Sequence, residues 1–491
     1  MLSRLKSFLF ENKGTRQTVT KNVFWLSVSH IGSRLIRAII IIYAARVLGA
    51  AEYGVFSYVL SFAGFFTVFA DIGVNSLLTR DVASHPGERA RHFAASFWIK
   101  AALLALTTLL IIFVAPKLTN IKEAAVLIPL VAFLTLFDNI REFVLSYFRG
   151  LQKMEWEAFI VTIMNVAIVI AGFIILYFFK TAKALLLSYF ASVGLAALLS
   201  IFILRSQFAG IFRYFDKKLI WRTFTFCWPI AFSGTLGFFM LNTDLVMLGW
   251  WRTPAEIGYY SASQRIVQIF YILPSLLASA IFPTLSRFVG QGEKEKAKIL
   301  NEKSFTLAFL VGIPLILGSI ILGKPIIELV FGKEYLAGVL SFQILITTLF
   351  FIFPGALLGN LVLAHNKQRR AVNYQLIGAT GNIVFNWFLI PSYGMAGSAV
   401  ATLIAQALNI GLTWNFLLKI DSFYILPHLK KIIAAAALMG ISSFLFSQAG
   451  LNIIINIITS VIIYFGLLFL LKEKVLKEIK LLFNNLNSAV V

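Results

Sequence analysis

Long apolar runs separated by short polar segments dominate the chain. A membrane crossing needs about 20 apolar residues, and about fourteen runs of that length can be marked. Their bounds are 22–48, 52–80, 91–115, 124–148, 156–179, 184–205, 219–250, 255–287, 299–323, 336–364, 370–390, 395–418, 428–447 and 450–471. The breaks carry turn chemistry: "HPGER", "APKLTN", "GQGEKEK", "HNKQRR", "PSYG" and "SQAG". Pro229, Pro274, Pro314 and Pro354 fall inside runs and predict kinks there. The pattern predicts an all-α polytopic membrane protein.

Composition agrees. Of 491 residues, 59% are hydrophobic and 13% charged, too apolar for a soluble globular surface. The basic N-terminus lacks an apolar stretch followed by a small-residue cleavage site, so residues 1–21 read as a retained cytoplasmic amphipathic segment. Cys227 is the single cysteine and can form no internal disulfide, and no Cys/His spacing suits a transition metal. A net charge of +22 would suggest nucleic acid in a soluble protein. Here the basic residues cluster between apolar runs, which points to anionic lipid and away from a nucleic-acid partner. With the N-terminus inside, "RSQFAGIFRYFDKKLIWR", "EKEKAK", "HNKQRR" and "KEKVLKEIK" all fall on the cytoplasmic side. That positive-inside bias predicts a multi-pass protein of the plasma or inner membrane with both termini cytoplasmic.

Half-length similarity organises the runs further. "LGAAEYGVFSYVLS" follows the first run and "LGWWRTPAEIGYYSASQ" the seventh, sharing Leu-Gly and then Glu-x-Gly-x-aromatic-Ser. The connections "YFRGLQKMEWEAF" and "VLAHNKQRRAVNY" match in length and charge. The order predicts two six-helix lobes, 22–205 and 219–418, joined by a cytoplasmic linker at 206–218. Two further helices and a basic cytoplasmic tail occupy 419–491.

The stretches "SRLIRAIIIIYAARVLGAAEYGVFSY", "LPSLLASAIFPTLSR", "FGKEYLAGVLSFQIL" and "NIVFNWFLIPSYGMAGSAVATLIAQ" resemble a known family. It is that of the polysaccharide or oligosaccharide flippases of the multidrug/oligosaccharidyl-lipid/polysaccharide exporter superfamily. The resemblance covers nearly the whole chain. It implies a V-shaped transporter that carries polyprenyl-diphosphate-linked oligosaccharide from the inner to the outer leaflet by alternating access. It also suggests glycan polymerase or ligase machinery as a partner. A cation-coupled multidrug exporter of the same superfamily is the alternative. A membrane-embedded glycan polymerase or transferase fits less well, because the outer loops are short and carry no DxD motif or clustered carboxylate pair. No enzymatic activity is expected.

Ionisable residues deep in the runs carry the candidate chemistry: Arg34, Arg37, Asp71, Lys100, Asp138, Arg141, Glu142, Asp244 and Arg265. Such residues face a bundle interior or a water-filled cavity. Arg34 and Arg37, three residues apart, share one helix face. Two readings compete. The arginines either pair with Asp71, Asp138 or Glu142 and lock helices together, or they remain available to an anionic substrate. A guanidinium presents a planar fork of donors suited to diphosphate oxygens. The resemblance extends to lipid II flippases, which use arginines on the first and eighth helices; by that match Arg34, Arg37 and Arg265 bind substrate, with Lys100 a weaker candidate. The glycines that interrupt the first helix of lipid II flippases are missing here. Arg141 lies between Asp138 and Glu142 and, with Asp71, reads as an intramembrane charge network. Asp244, with Asn382 and Asn386 on one helix face and Thr402 on the next helix, supplies hard oxygen donors suited to a coupling Na⁺ or H⁺. Interhelical hydrogen bonding is the competing reading of those amides. No cofactor is expected. Trp221, Trp250, Trp251, Tyr259 and Tyr260 sit at run ends as interfacial belt residues.

Overall fold

A computed structural model describes residues 14–421 and 423–473. The expected amphipathic segment up to residue 13 and the basic tail from 474 lie outside the described residues. Among those described, every regular element is helical, and ten helices are long and apolar enough to cross a membrane. The number is eleven if one bent pair counts as a single span. The chain is a multi-pass integral membrane protein.

Two compact units divide the chain, one ending at Gly258 and the other beginning at Tyr259. The first contains α1 (Thr15–Phe66), α2 (Val74–Ser84), α3 (Arg89–Phe113), α4 (Lys122–Gly150), α5 (Met154–Phe178), α6 (Ala182–Ile203) and α7 (Lys217–Trp251). The segment 206–218 lies within this unit. α8 (Pro254–Phe270) leads into the second unit, which contains α9 (Ile272–Gly290), α10 (Lys294–Ile321), α11 (Gly323–Phe331), α12 (Val339–Thr347), α13 (Leu349–Ala364), α14 (Gln368–Leu418), α15 (Leu426–Gln448) and α16 (Ile453–Leu470).

Helix length forces two sharp breaks. α1 has 52 residues and α14 has 51. Straight, each would run about 75 Å, more than twice the hydrocarbon core. Each is interrupted at one glycine of positive φ, Gly49 at 75° and Gly394 at 57°. A side chain disfavours that conformation, so glycine is the residue that permits the turn. A third interruption divides the run 52–80, where α1 and α2 bend by 47° across Asp71–Gly73. Asp71 Oδ1 there accepts from the Asn75 backbone N–H at 3.2 Å, satisfying one of the donors exposed where α2 begins. The kink expected at Pro274 takes the form of a break at Tyr271, so that Pro274 stands in the first turn of α9 and needs no amide hydrogen there.

In the first unit α1 packs along α5, and α6 packs on both α4 and α5. α6 makes this close fit with buried small residues: Ser188, Ser192 and Ser200 return their hydroxyls to carbonyls of their own helix, and Ala196 and Ala197 lie between. Lys21, fully buried, donates to Glu155 Oε2 at 3.0 Å and ties the start of α1 to the start of α5.

The two copies of the Glu-x-Gly motif meet each other. A Cβ on Gly54 would lie 1.8 Å from the Pro254 carbonyl oxygen, and one on Gly258 would lie 2.0 Å from the Ala50 oxygen. Each motif therefore seats its glycine on the backbone of the other.

Candidate functional site

The intramembrane charges fall into two groups according to their partners. Arg34 and Arg37 stand on α1 with exposed side chains. Arg34 makes no hydrogen bond or ion pair among the described residues. Arg37 donates from Nε (3.2 Å) and Nη2 (3.0 Å) to Oδ1 of Asn165, a buried amide on α5. Neither arginine pairs with Asp71, Asp138 or Glu142, and neither charge is neutralised by a carboxylate among the described residues.

Those acids are engaged elsewhere. Arg141 Nη2 reaches Asp138 Oδ1 at 2.8 Å and Glu142 Oε1 at 2.9 Å. Arg149 bridges the other oxygen of Glu142 (3.3 Å) to Glu157 (2.6 Å), whose side chain is 2% exposed. Lys100, also 2% exposed, donates to Asn139 Oδ1 at 3.1 Å and lies 4.0 Å from Asp71 Oδ2. Lys100 thus joins the network on α4. A buried ion pair of this kind costs desolvation and is favourable only when its hydrogen bonds are complete. Helix α4 meets that condition by alternating acids and bases on one face.

Sequence reasoning passed over Asn139, Asn165, Arg149 and Glu157. The two amides carry no charge to draw attention, although a lone Asn inside "VTIMNVAIVIAG" is itself a polar group needing a partner in the membrane. Arg149 and Glu157 stand near run ends, where solvation is the ordinary expectation.

In the second unit Arg265, on α8, has a buried Nε without a hydrogen-bond partner, and its Nη1 reaches only Gln268 Oε1, at 3.4 Å. No carboxylate pairs with it among the described residues. Asn386 Nδ2 donates to Asn382 Oδ1 at 3.1 Å, and Asn382 Nδ2 donates to Thr402 Oγ1 at 3.3 Å. This chain of side chains links the two halves of α14 across the Gly394 break. Asp244 is fully buried on α7 and belongs to the first unit, whereas the amides and Thr402 belong to the second. No cluster of three or more His, Cys, Asp or Glu side chains suited to a metal occurs among the described residues.

Outside the spans, Asp216 precedes α7 and accepts from the Lys218 (2.9 Å) and Leu219 (3.1 Å) backbone amides. The guanidinium of Arg91 beside it, together with these amides, holds its carboxyl below the ordinary aspartate value.

Residues 19–289 match the family described as polysaccharide biosynthesis protein, and residues 229–388 match the one described as MatE. Among curated relatives, the chain is 23% identical over 398 residues to the Haloferax volcanii protein named "Probable low-salt glycan biosynthesis flippase", a match spanning 81% of each. It is 24% identical over 401 residues to the capsular polysaccharide biosynthesis protein CapF of Staphylococcus aureus, covering 79% of this chain and 96% of that one. Among solved structures, its fold is similar to that of the lipid II flippase MurJ in an inward closed conformation. The TM-score is 0.74 at 17% identity, over 92% of this chain and 100% of that one.

Proposed function

Since the chain belongs to the polysaccharide biosynthesis protein family, we propose that it is a flippase moving polyprenyl-diphosphate-linked oligosaccharide from the inner to the outer leaflet by alternating access. One observation carries this reading: Arg34 and Arg37 stand inside a spanning helix without an acidic partner, while Asp138, Glu142 and Glu157 are bound to other arginines. A charge at such depth costs about 2.5 kcal/mol or more, so an uncompensated pair calls for an anion that meets it there. Diphosphate is the anionic part of the substrate and the part hardest to move through hydrocarbon. Arg34 and Arg37 are its proposed ligands in the first unit, and the lipid tail stays in the bilayer; Arg265 is a proposed substrate ligand within the second unit. The network of Asp71, Lys100, Asn139, Asp138, Arg141 and Glu142 holds the first unit in shape. Relatives bearing flippase names support transport rather than chemistry on the sugar.

We further propose fourteen spans, counting α1 and α14 as two each at their glycine breaks and including α7. They form two six-helix lobes and two final helices. Both termini are cytoplasmic, in the plasma or inner membrane. A glycan polymerase or ligase on the outer side would consume the product.

The match of residues 229–388 to MatE favours a second reading, a cation-coupled multidrug exporter. Cationic drugs would call for exposed acids, however, and Arg34 and Arg37, exposed on α1 with no carboxylate partner among the described residues, are cationic. Leaflet-specific detection of lipid-linked oligosaccharide in depleted cells separates the two. Accumulation on the cytoplasmic face is the expected result. An unchanged distribution with altered drug tolerance would identify the exporter.

Coupling is assigned to Na⁺ or H⁺, with Asp244 its proposed acid within the first unit; the Asn382–Asn386–Thr402 chain is a separate proposed set of oxygen donors within the second. Transport by Asp244→Asn is expected to lose its dependence on an imposed Na⁺ or H⁺ gradient and to fall to the ungraded rate. Full, gradient-sensitive transport by that variant would remove Asp244 from the coupling role.

A further inference from the structure

We infer that Asn165 is a positioning residue that fixes Arg37 for diphosphate without neutralising it, an amide standing where Arg141 and Arg149 of the same unit have carboxylates. The inference rests on the proposed flippase reading and deepens it.

The comparison lies within one unit. Arg141 is met by Asp138 and Glu142, and Arg149 by Glu142 and Glu157. Both are thereby compensated by carboxylates. Arg37 meets Asn165, which is 1% exposed. A carboxylate at that position would accept the same hydrogen bonds and would also pair the charge. The amide accepts them and leaves the charge whole.

Asn165 is held in the orientation this requires. Its Nδ2 donates to the Val161 carbonyl one turn earlier, at 2.7 Å, which leaves Oδ1 to accept from Arg37. That oxygen takes Nε and Nη2, the side edge of the guanidinium. A guanidinium has five N–H donors in a fixed plane, so three remain: both on Nη1 and one on Nη2. These form the end edge, the pair of nitrogens that grips phosphate bidentately. Nη1 makes no hydrogen bond among the described residues, and the Arg37 side chain is exposed. Arginine otherwise loses much rotamer freedom on binding a ligand, and a fixed side edge removes part of that loss beforehand.

Substitutions at this position separate the inference from a purely structural role, because the two give opposite orders. Full-length protein in nanodiscs is titrated with a long-chain polyprenyl diphosphate, and its unfolding temperature is followed in parallel. Asn165→Asp keeps an acceptor of the same shape and adds a counter-charge. It is expected to weaken binding about tenfold or more, while in the unfolding temperature the new ion pair with Arg37 offsets the lost donation to the Val161 carbonyl, so that it falls less than in Asn165→Ala. Asn165→Ala removes the support but not the charge, and is expected to weaken binding by only about threefold, the entropic share of an unheld side chain. If Asn165 were merely a packing and hydrogen-bonding residue, the order would reverse, with Ala the more damaging and Asp close to wild type; that result overturns the inference. Should Asn165→Asp lose its fold, Asn165→Gln, neutral and longer, takes its place: binding near that of Asn165→Ala supports the positioning role, and unaltered binding overturns it. Wild-type protein that does not bind the polyprenyl diphosphate at all would instead overturn the flippase reading itself.

Discussion

Arg34→Ala should abolish transport of lipid-linked oligosaccharide and leave the unfolding temperature where it was. The side chain has no hydrogen-bonding or ionic partner among the described residues, so its removal breaks no such contact there. Arg37→Ala should abolish transport too, with a modest loss of stability. It strips the buried Asn165 oxygen of both donors, and a buried acceptor left unsatisfied costs about 1–3 kcal/mol. Each arginine, as a charge-assisted donor to diphosphate, is worth about 1.5–3 kcal/mol, or about 10- to 150-fold in affinity. Lysine restores the charge without the fork and should recover only part of the activity. Arg149→Ala supplies the contrast. It leaves Glu157, with a side chain 2% exposed, as an uncompensated buried charge, a change that costs about 3–5 kcal/mol. Transport and thermal unfolding, measured on the same preparations, therefore sort the arginines. Normal transport by both α1 alanine variants would exclude them from substrate contact, and a large loss of stability in Arg34→Ala would assign that residue to packing.

The positions of the intramembrane charges were legible in the sequence, but their pairing was not. Five basic and four acidic residues in apolar runs allow several matchings, and Asp71, Asp138 and Glu142 were each available to Arg34 and Arg37 on composition alone. Packing decides between them: α4 puts Asp138, Arg141 and Glu142 within reach of one another, while α1 lies along α5 and meets an amide. Neutral partners such as Asn139 and Asn165 leave no trace in a count of charges. The breaks were legible where turn chemistry marked them. The runs 22–48 and 52–80 flank Gly49, and 370–390 and 395–418 flank Gly394, the two positions where positive φ ends one helix and starts the next. The bend at Asp71–Gly73 was missed because a glycine inside an apolar run does not by itself end a membrane helix; here a carboxylate caps the new one. The repeat was legible as residues, but nothing in "AAEYG" or "PAEIG" states that one would be seated on the other.

That mutual seating leads to the second large effect. Gly54→Ala and Gly258→Ala should each lower the unfolding temperature and impair transport. A methyl at Gly54 would stand 1.8 Å from the Pro254 oxygen and 2.9 Å from the Gly258 nitrogen; at Gly258 it would stand 2.0 Å from the Ala50 oxygen. These are backbone atoms, so no side-chain rotation makes room and the two motifs must move apart. Overpacking of this kind costs about 1–3 kcal/mol, and more where the obstacle cannot yield. The contact is also reciprocal, which fixes how the two changes combine. Once the first methyl has separated the motifs, most of the space for the second already exists. The double variant should therefore lose clearly less stability than the sum of the single losses, as neighbouring sites that share one displacement do. Gly249→Ala serves as the control. Its Cβ would meet the Tyr58 ring at 2.1 Å, a side chain rather than backbone, so it should be additive with Gly54→Ala to the extent that Tyr58 can turn aside. Thermal unfolding of the two single variants and the double is the measurement. Strict additivity of Gly54→Ala and Gly258→Ala, or wild-type stability in both, would mean that the motif copies do not bear on each other as their geometry requires.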